Sequence, residues 1–460
     1  MNPSEIAILI NSLVVLLSIV VAILTIRFVP VENKGYKLLF VLYILFWIPL
    51  MMCRQYTGTI AKEIVSPDKL NYYDYRMWLP MCAYGFIGIF WRPFADWFSY
   101  KRMNRKNIIY LALMISAITY IPFCCVQNLA TNIIQSLGVG IGASMIGTYQ
   151  LMFNEQYGKA KTFLTVSMLS IPPLIGDFIS SSIQSVVTSI GSGGLQTYRW
   201  FWIIGLIITV IAFVLAFFVK ENKKLMYQDN KYKMPIKTKN EWIYFVWICV
   251  LGSLIAFIRW ANSGSIAQVS LQFYAQHLDG NLDKYSLYQG YLSLIFSFAQ
   301  LFGGLITGLL LVNKIGKMWT FTIGCSCWII YELLGTYIVN PYAYMGIHLL
   351  NGFSYGIVYN MILGFVLQRR FNTKKQSPMG IYQAVISLGI MVSNFYTGWL
   401  KSGPYGIGDF NEFKKVSQIV NWVVIAAIAV AWLVFMYTWL IEKWNYKHLW
   451  FHKKSNKKYT

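Results

Sequence analysis

Two arginines stand where an arginine is expensive. Arg54 lies 17 residues beyond Lys37 in an apolar stretch at 36–62, and Arg259 lies 17 residues beyond Trp242 in a similar stretch at 241–269. An ionised side chain at the centre of a bilayer costs about 2.5–3.5 kcal/mol on insertion scales, so each is a functional candidate. A guanidinium keeps its proton and presents a planar donor fork that matches carboxylate or phosphate with two hydrogen bonds. Two of them aimed at one dry chamber need an anion. Gln55 and Tyr56 beside the first, and Trp260, Asn262 and Ser263 beside the second, suit a ligand carrying hydroxyls. Two plainer readings stay open. Arg54 snorkels to the outer interface if its helix ends at Cys53, and Arg259 could form a structural ion pair with Asp177 or Glu332.

Other polar groups interrupt the apolar stretches. Asp177 follows Ile171-Pro-Pro-Leu-Ile-Gly in the middle of a span, beside a turn weakened by proline. There it could carry a coupling proton, counter an arginine or cap a broken helix. Glu332 reads as a structural partner. Arg92 and Asp96, four apart near a helix end, are expected to form a gating or packing ion pair. His348, Asn351, Tyr355 and Tyr359 recur at spacings of 3, 4 and 4, one polar stripe on an apolar helix that suits a ligand's polyol or ring. Gly138, Gly140, Gly142 and Gly147 lie inside an apolar span with no strand before them, so they favour close helix packing and not a nucleotide loop. No zinc spacing, nucleophile elbow or phosphate-binding loop is present. Neither a cofactor nor an enzyme activity is expected.

The elements that must position these residues are membrane helices. The chain has 460 residues, of which 57% are hydrophobic and only 12% charged, and a mean hydropathy of +0.51. Soluble chains carry roughly a quarter charged residues, so a soluble enzyme, a disordered chain and a disulfide scaffold are all excluded. Apolar runs of about 20 residues, the length that spans a bilayer, fall at 5–29, 36–62, 78–99, 107–127, 129–153, 162–190, 199–220, 241–269, 286–311, 317–338, 342–368, 378–400 and 418–442. That is about thirteen spans. The first is too long for a signal-peptide core and lacks a basic start.

The net charge of +22 follows this topology. With the loop after the first span taken as cytoplasmic, 28 of the 39 Lys and Arg fall on that side and 9 on the other. This is a strong positive-inside asymmetry. It puts the N-terminus outside and the C-terminus in the cytoplasm of a multi-pass plasma-membrane protein. The tail Lys453-Lys-Ser-Asn-Lys-Lys is a headgroup anchor. Lipids are the implied partners of the excess charge, and nucleic acid is not. The seven cysteines lie mostly in apolar runs without metal-ligand spacing and read as small buried hydrophobes.

Two short basic turns divide the chain. The first is Arg92-Pro-Phe-Ala-Asp96-Trp-Phe-Ser-Tyr-Lys101-Arg102-Met-Asn-Arg105-Lys106 and the second Gly308-Leu-Leu-Leu-Val-Asn313-Lys314-Ile-Gly316-Lys317. Both resemble the major facilitator signature Gly-x-x-x-Asp-Arg/Lys-x-Gly-Arg/Lys. Arg92 replaces the first Gly of one copy, and Asn313 the Asp of the other. The resemblance implies an all-α fold of two six-helix halves with one extra helix in front. The expected units are that extra helix at 1–35, an N-terminal half at 36–220, a cytoplasmic linker at 221–240, a C-terminal half at 241–442 and a basic tail at 443–460. In that register Arg54 and Arg259, 205 residues apart, are equivalent positions in the two repeats.

Cys53-Arg54-Gln55-Tyr56 and Ile258-Arg259-Trp260-Ala261-Asn262-Ser263-Gly264 resemble the organophosphate:phosphate antiporter branch, where one Arg in the first helix of each half binds the substrate phosphate. The branch's Gly and Pro after the second Arg are absent here, as is its fifth-helix His. The resemblance implies exchange of a phosphate ester for phosphate by alternating access, in a monomer whose partner is a small anionic solute. The rival expectations are a proton-coupled carrier of a neutral or cationic solute using Asp177 and Glu332, a solute receptor that does not transport, and a lipid flippase.

Overall fold

A computed structural model describes residues 3–28, 35–65, 75–101, 104–155, 162–191, 194–221, 233–261, 283–338, 340–371, 378–402 and 410–445. Its helices are α1 (Pro3–Phe28), α2 (Gly35–Val65), α3 (Leu79–Lys101), α4 (Arg105–Cys125), α5 (Leu129–Ala143), α6 (Met145–Asn154), α7 (Thr162–Leu169), α8 (Ile171–Ile190) and α9 (Gly194–Ala216). They continue as α10 (Lys239–Trp260), α11 (Asp283–Ile306), α12 (Gly316–Tyr337), α13 (Pro341–Leu367), α14 (Met379–Ser402) and α15 (Phe410–Asn445). Breaks at Ser144 and Ser170 divide α5 from α6 and α7 from α8, but each pair makes one lengthwise pass. Among the described residues this gives thirteen passes, and eleven are long and apolar enough to cross a membrane. The two others, α3 and α12, have the length, at 23 and 22 residues. Arg92 and Asp96 in α3 and Glu332 in α12 make them more polar. The chain is an all-α, multi-pass membrane protein, as its composition requires.

Local chemistry sets where helices begin. Asn128 caps α5 with a reciprocal pair of hydrogen bonds to Thr131, of 2.9 and 3.1 Å. Thr238 and Glu241 form the same kind of box at the start of α10, and Asn340 followed by Pro341 opens α13. Side-chain oxygens satisfy backbone N–H groups that a first turn leaves unpaired. In bilayer such groups would have no water to turn to.

The helices form two groups. In the first, α2 packs on α8 and α9, and α4 on α5 and α9. In the second, α11 packs on α13, α12 on α13 and α15, and α10 on α14 and α15. Two seams join the groups, one between α3 and α14 and the other between α11 and α7–α8. α1 lies outside both groups against α8, burying Asn11, Ser18 and Ala22 along one narrow stripe while Leu13, Leu16 and Leu17 are exposed. The end of the expected linker is not free coil. Met234–Ile236 pairs in parallel with Arg369–Phe371 as a two-stranded ribbon, β1 and β2. All seven cysteines are free. Cys53, Cys249 and Cys325 are buried, as read from the sequence, but Cys125 is exposed.

Candidate functional site

Between the two groups is a cavity of about 100 Å³. Helices of both halves line it: Tyr43, Trp47 and Arg54 from α2, Tyr84 and Arg92 from α3, Gln150 from α6, Trp260 from α10, Gln300 from α11, Tyr355, Tyr359 and Asn360 from α13, and Tyr382 and Gln383 from α14. Among the described lining residues there are two arginines and no carboxylate. The walls are aromatic and amide-bearing, the composition of a site that fixes a small ligand by shape and a few polar contacts.

Arg54 is held by aromatic faces from both halves. Its guanidinium carbon lies 4.5 Å from the Trp260 ring centroid and 5.8 Å from that of Tyr84. Cation–π attraction of this kind contributes about 1–2 kcal/mol when desolvated, well short of what ion pairing gives a buried charge. Among the described residues the Arg54 guanidinium has no hydrogen bond and no ion pair. The α2 helix runs on past Cys53 to Val65, so Arg54 is not the terminal residue that interfacial snorkelling would need.

Arg259 is placed differently. It follows its repeat equivalent closely, at the 21st residue of α10 where Arg54 is the 20th of α2. Its guanidinium lies 3.5 Å from the Phe296 centroid and 5.3 Å from Tyr355, and it is not among the lining residues. Consecutive helix positions point about 100° apart. Trp260 therefore meets Arg54 while Arg259 turns to the aromatic wall formed by α11 and α13. Arg54 and Arg259 remain within electrostatic reach of each other and of Asp177.

Asp177, 5% exposed, does not pair with either arginine. It accepts a 2.8 Å hydrogen bond from Nε2 of Gln55, which also donates to Ser293 Oγ at 3.1 Å. This chain of contacts ties α2 and α8 of one half to α11 of the other.

The remaining candidates separate by depth. Tyr355 and Tyr359 line the cavity, stacked on each other at 5.4 Å, and Tyr359 receives a 3.3 Å hydrogen bond from Gln150. His348 and Asn351, on the same stripe, lie outside the lining and are engaged inside the C-terminal half. His348 Nδ1 lies 3.0 Å from the Tyr331 hydroxyl, and Asn351 accepts from Trp328 Nε1 at 2.9 Å. Tyr56 packs on Tyr198 and Phe201 of α9. Glu332 is buried in α12 next to Tyr331. Asn262 lies outside the described residues.

The expected ion pair between Arg92 and Asp96 is not formed. Arg92 Nη1 donates to the Gln383 backbone carbonyl at 3.0 Å and to its Oε1 at 2.8 Å, while Asp96 Oδ2 accepts from the Gly380 N–H at 3.2 Å. Both partners belong to α14, so proximity along one helix loses to contacts across the seam. Sequence reasoning gave Tyr43, Trp47, Tyr84, Gln150, Tyr382 and Gln383 no place in the site. For Tyr84 there was a signal: Tyr84, Gly88 and Arg92 recur every fourth residue on one face of α3.

No family model matches the chain, and no curated protein matches it in sequence. Solved structures do match it in shape. One is a crystal structure of the human organic anion transporter MFSD10 (TETRAN), with a TM-score of 0.64 at 10% identity, covering 88% of this chain and all of that one. Another is a crystal structure of the nucleoside transporter NupG, with a TM-score of 0.59 at 15% identity, covering 86% of this chain and all of that one. At such identities the likeness shows the fold alone. The fold is the major facilitator fold, two six-helix halves with α1 added in front.

Proposed function

We propose that the protein is a secondary transporter that moves a small organic anion by alternating access. The observation that carries this reading is Arg54, a cation in the lining of a cavity between the halves, with no ion pair among the described residues and no carboxylate among the described lining residues. Arg54 and Arg259 lie within electrostatic reach of each other, and like charges in low dielectric repel. A bound anion offsets that repulsion, so reorientation is favoured when the site is loaded, and the result is exchange. The likeness in shape to a human organic anion transporter supports the same class of solute. A phosphate ester exchanged for phosphate is the specific form we favour, with Arg54 as its ligand and Arg259 supporting the field through the wall formed by Phe296 and Tyr355. Asp177, hydrogen-bonded to Gln55, is the group we assign to coupling between the halves.

Vesicles reconstituted with the protein and preloaded with phosphate should take up labelled sugar phosphate, and unloaded vesicles should not. Equal uptake without internal anion would refute exchange. A neutral solute of nucleoside type is the second reading, favoured by the aromatic rings and by the amides of Gln150, Gln300, Asn360 and Gln383 in the lining, and by the likeness to a nucleoside transporter. Uridine outcompeting every anion in the same vesicles would establish it.

A further inference from the structure

We propose that Arg92 is a second anion-binding residue of this cavity, and that the solute is a small organic dianion held between Arg92 of α3 and Arg54 of α2. The proposal rests on the anion reading above and names the charge of its solute.

Arg92 is 4% exposed and lines the same cavity as Arg54. Among the described residues its hydrogen bonds go to neutral groups, the carbonyl and the amide oxygen of Gln383, and its Nε has no hydrogen bond. The neutral Tyr84 side chain is also within reach. A buried guanidinium satisfied only by neutral oxygens is costly, because desolvation of the charge is not matched by an opposite one. The same molecule shows the structural alternative. Arg105, buried at the start of α4, is ion-paired with Glu155. Arg92 has a carboxylate one turn away at Asp96 and does not use it, since Asp96 Oδ2 is turned to the Gly380 N–H.

The course of the side chain points the same way. A Cβ added at Gly88, one turn before Arg92, would lie 3.3 Å from Arg92 Nε. The side chain therefore runs back along α3 across the space that Gly88 leaves open, toward Tyr84 one turn further. The Tyr84 ring in turn faces the Arg54 guanidinium. Arg92, Tyr84 and Arg54 thus follow one another along a single wall, with an aromatic face between two cations. Over described lining residues that include no carboxylate, a monoanion offsets one of these charges and a dianion offsets both. Two chemistries supply a compact dianion: a dicarboxylate on a short carbon frame, and a phosphate monoester.

The test uses matched pairs in vesicles reconstituted with the full chain at mildly alkaline pH. Glutarate is compared with its monomethyl ester, and phenyl phosphate with methyl phenyl phosphate. A charge-assisted hydrogen bond is worth about 1.5–3 kcal/mol, so the wild type should prefer the dianion of one pair at least about tenfold. Which pair shows the preference identifies the source of the charge. In Arg92→Gln the ratio of dianion to monoanion uptake should fall to near one, and in Arg92→Lys it should persist. An unchanged ratio in Arg92→Gln overturns the proposal. If Arg92→Gln transports nothing, Arg92→Lys decides: a retained preference supports the proposal, and a lost one reduces Arg92 to a seam contact. A wild type that takes both members of a pair equally overturns the dianion and leaves the anion reading standing. One that takes neither pair ends both.

Discussion

Where α3 meets α14, two of the polar contacts involve a charged group and a third is neutral. Arg92 holds Gln383, Asp96 holds the first turn of α14, and Asn394 Nδ2 donates to the Met81 carbonyl at 3.2 Å. Where α11 meets α7 and α8, the bonds that cross are neutral, and the one carboxylate nearby, Asp177, stands a step behind them on Gln55. Ser167 Oγ donates to the Gly304 carbonyl at 2.8 Å and accepts from the Gly308 N–H at 3.0 Å, and beside them Asn360 Nδ2 of α13 donates to Ser170 Oγ at 2.8 Å. The two seams occupy equivalent places in the repeats, so topology does not account for the difference. Parting the neutral seam releases ordinary hydroxyl and backbone bonds. Parting the other exposes a guanidinium and a carboxylate to whatever fills the gap, and water or an anion can take up those bonds. On the proposed alternating-access reading, opening of the charged seam would respond to ions, and that of the neutral seam mainly to packing.

The strongest test of this contrast is Arg54→Gln, which removes the cavity cation that touches neither seam. Loss of one charge-assisted, two-pronged contact predicts a fall in anion uptake of roughly a hundredfold with a thermal melt no lower, because relief of the buried charge offsets the lost cation–π contacts. A parallel fall in melting temperature would mean that Arg54 is structural. Next is Gln383→Ala, which strips the amide oxygen from buried Arg92 and should destabilise the protein by about 1.5–3 kcal/mol, an effect eased by added anion. Ser167→Ala in the neutral seam breaks two neutral bonds, at about 0.5–1.5 kcal/mol each, and anion should not ease it. Melts followed by tryptophan fluorescence with and without sulfate compare the two directly. Equal losses with equal response to sulfate would erase the distinction between the seams. The smallest effect belongs to Lys317→Ala. Its 3.1 Å ion pair with Glu442 is partly exposed, and pairs of that kind contribute about 0.2–1 kcal/mol, so melt and uptake should barely move.

The seams also show how much was legible beforehand. The two basic turns were recognisable as copies of one motif, yet their spacing differs: Asp96 is four residues after Arg92, and Asn313 is five after Gly308. The structure accounts for the extra residue. Thr307–Leu311 is a π-helical turn continuing α11, and such a turn absorbs one residue. Asn313 Nδ2 reaches back to the Gly308 carbonyl at 3.4 Å across that interval. Glycine at 308 is required there for a separate reason, because a Cβ would collide with the Phe163 carbonyl of α7.

The polar stripe of α13 is divided by depth, which its spacing in the sequence did not show. From His348 to Tyr359 is 11 residues, about 16 Å along a helix axis, and only the Tyr355 and Tyr359 end reaches the cavity. The arginine pair met the same ambiguity in the other direction. Equal depth was legible from the offset of 205, but Arg259 is turned onto Phe296 and Arg54 onto Trp260.

By itself the sequence determined the medium, the number of passes, the repeat and the positions of the buried charges, because each follows from transfer free energy summed along one dimension. A run of 20 apolar residues has one inexpensive place to be, and an arginine inside it is conspicuous wherever the helix finally packs. Only the tertiary structure decided which charges share a chamber and which contacts they accept. Those outcomes depend on rotation and depth within a few ångströms, and neighbouring helices, not the chain's own periodicity, set both. Arg92 shows the limit most clearly: its sequence partner was Asp96, and its partner in the fold is Gln383, 291 residues away.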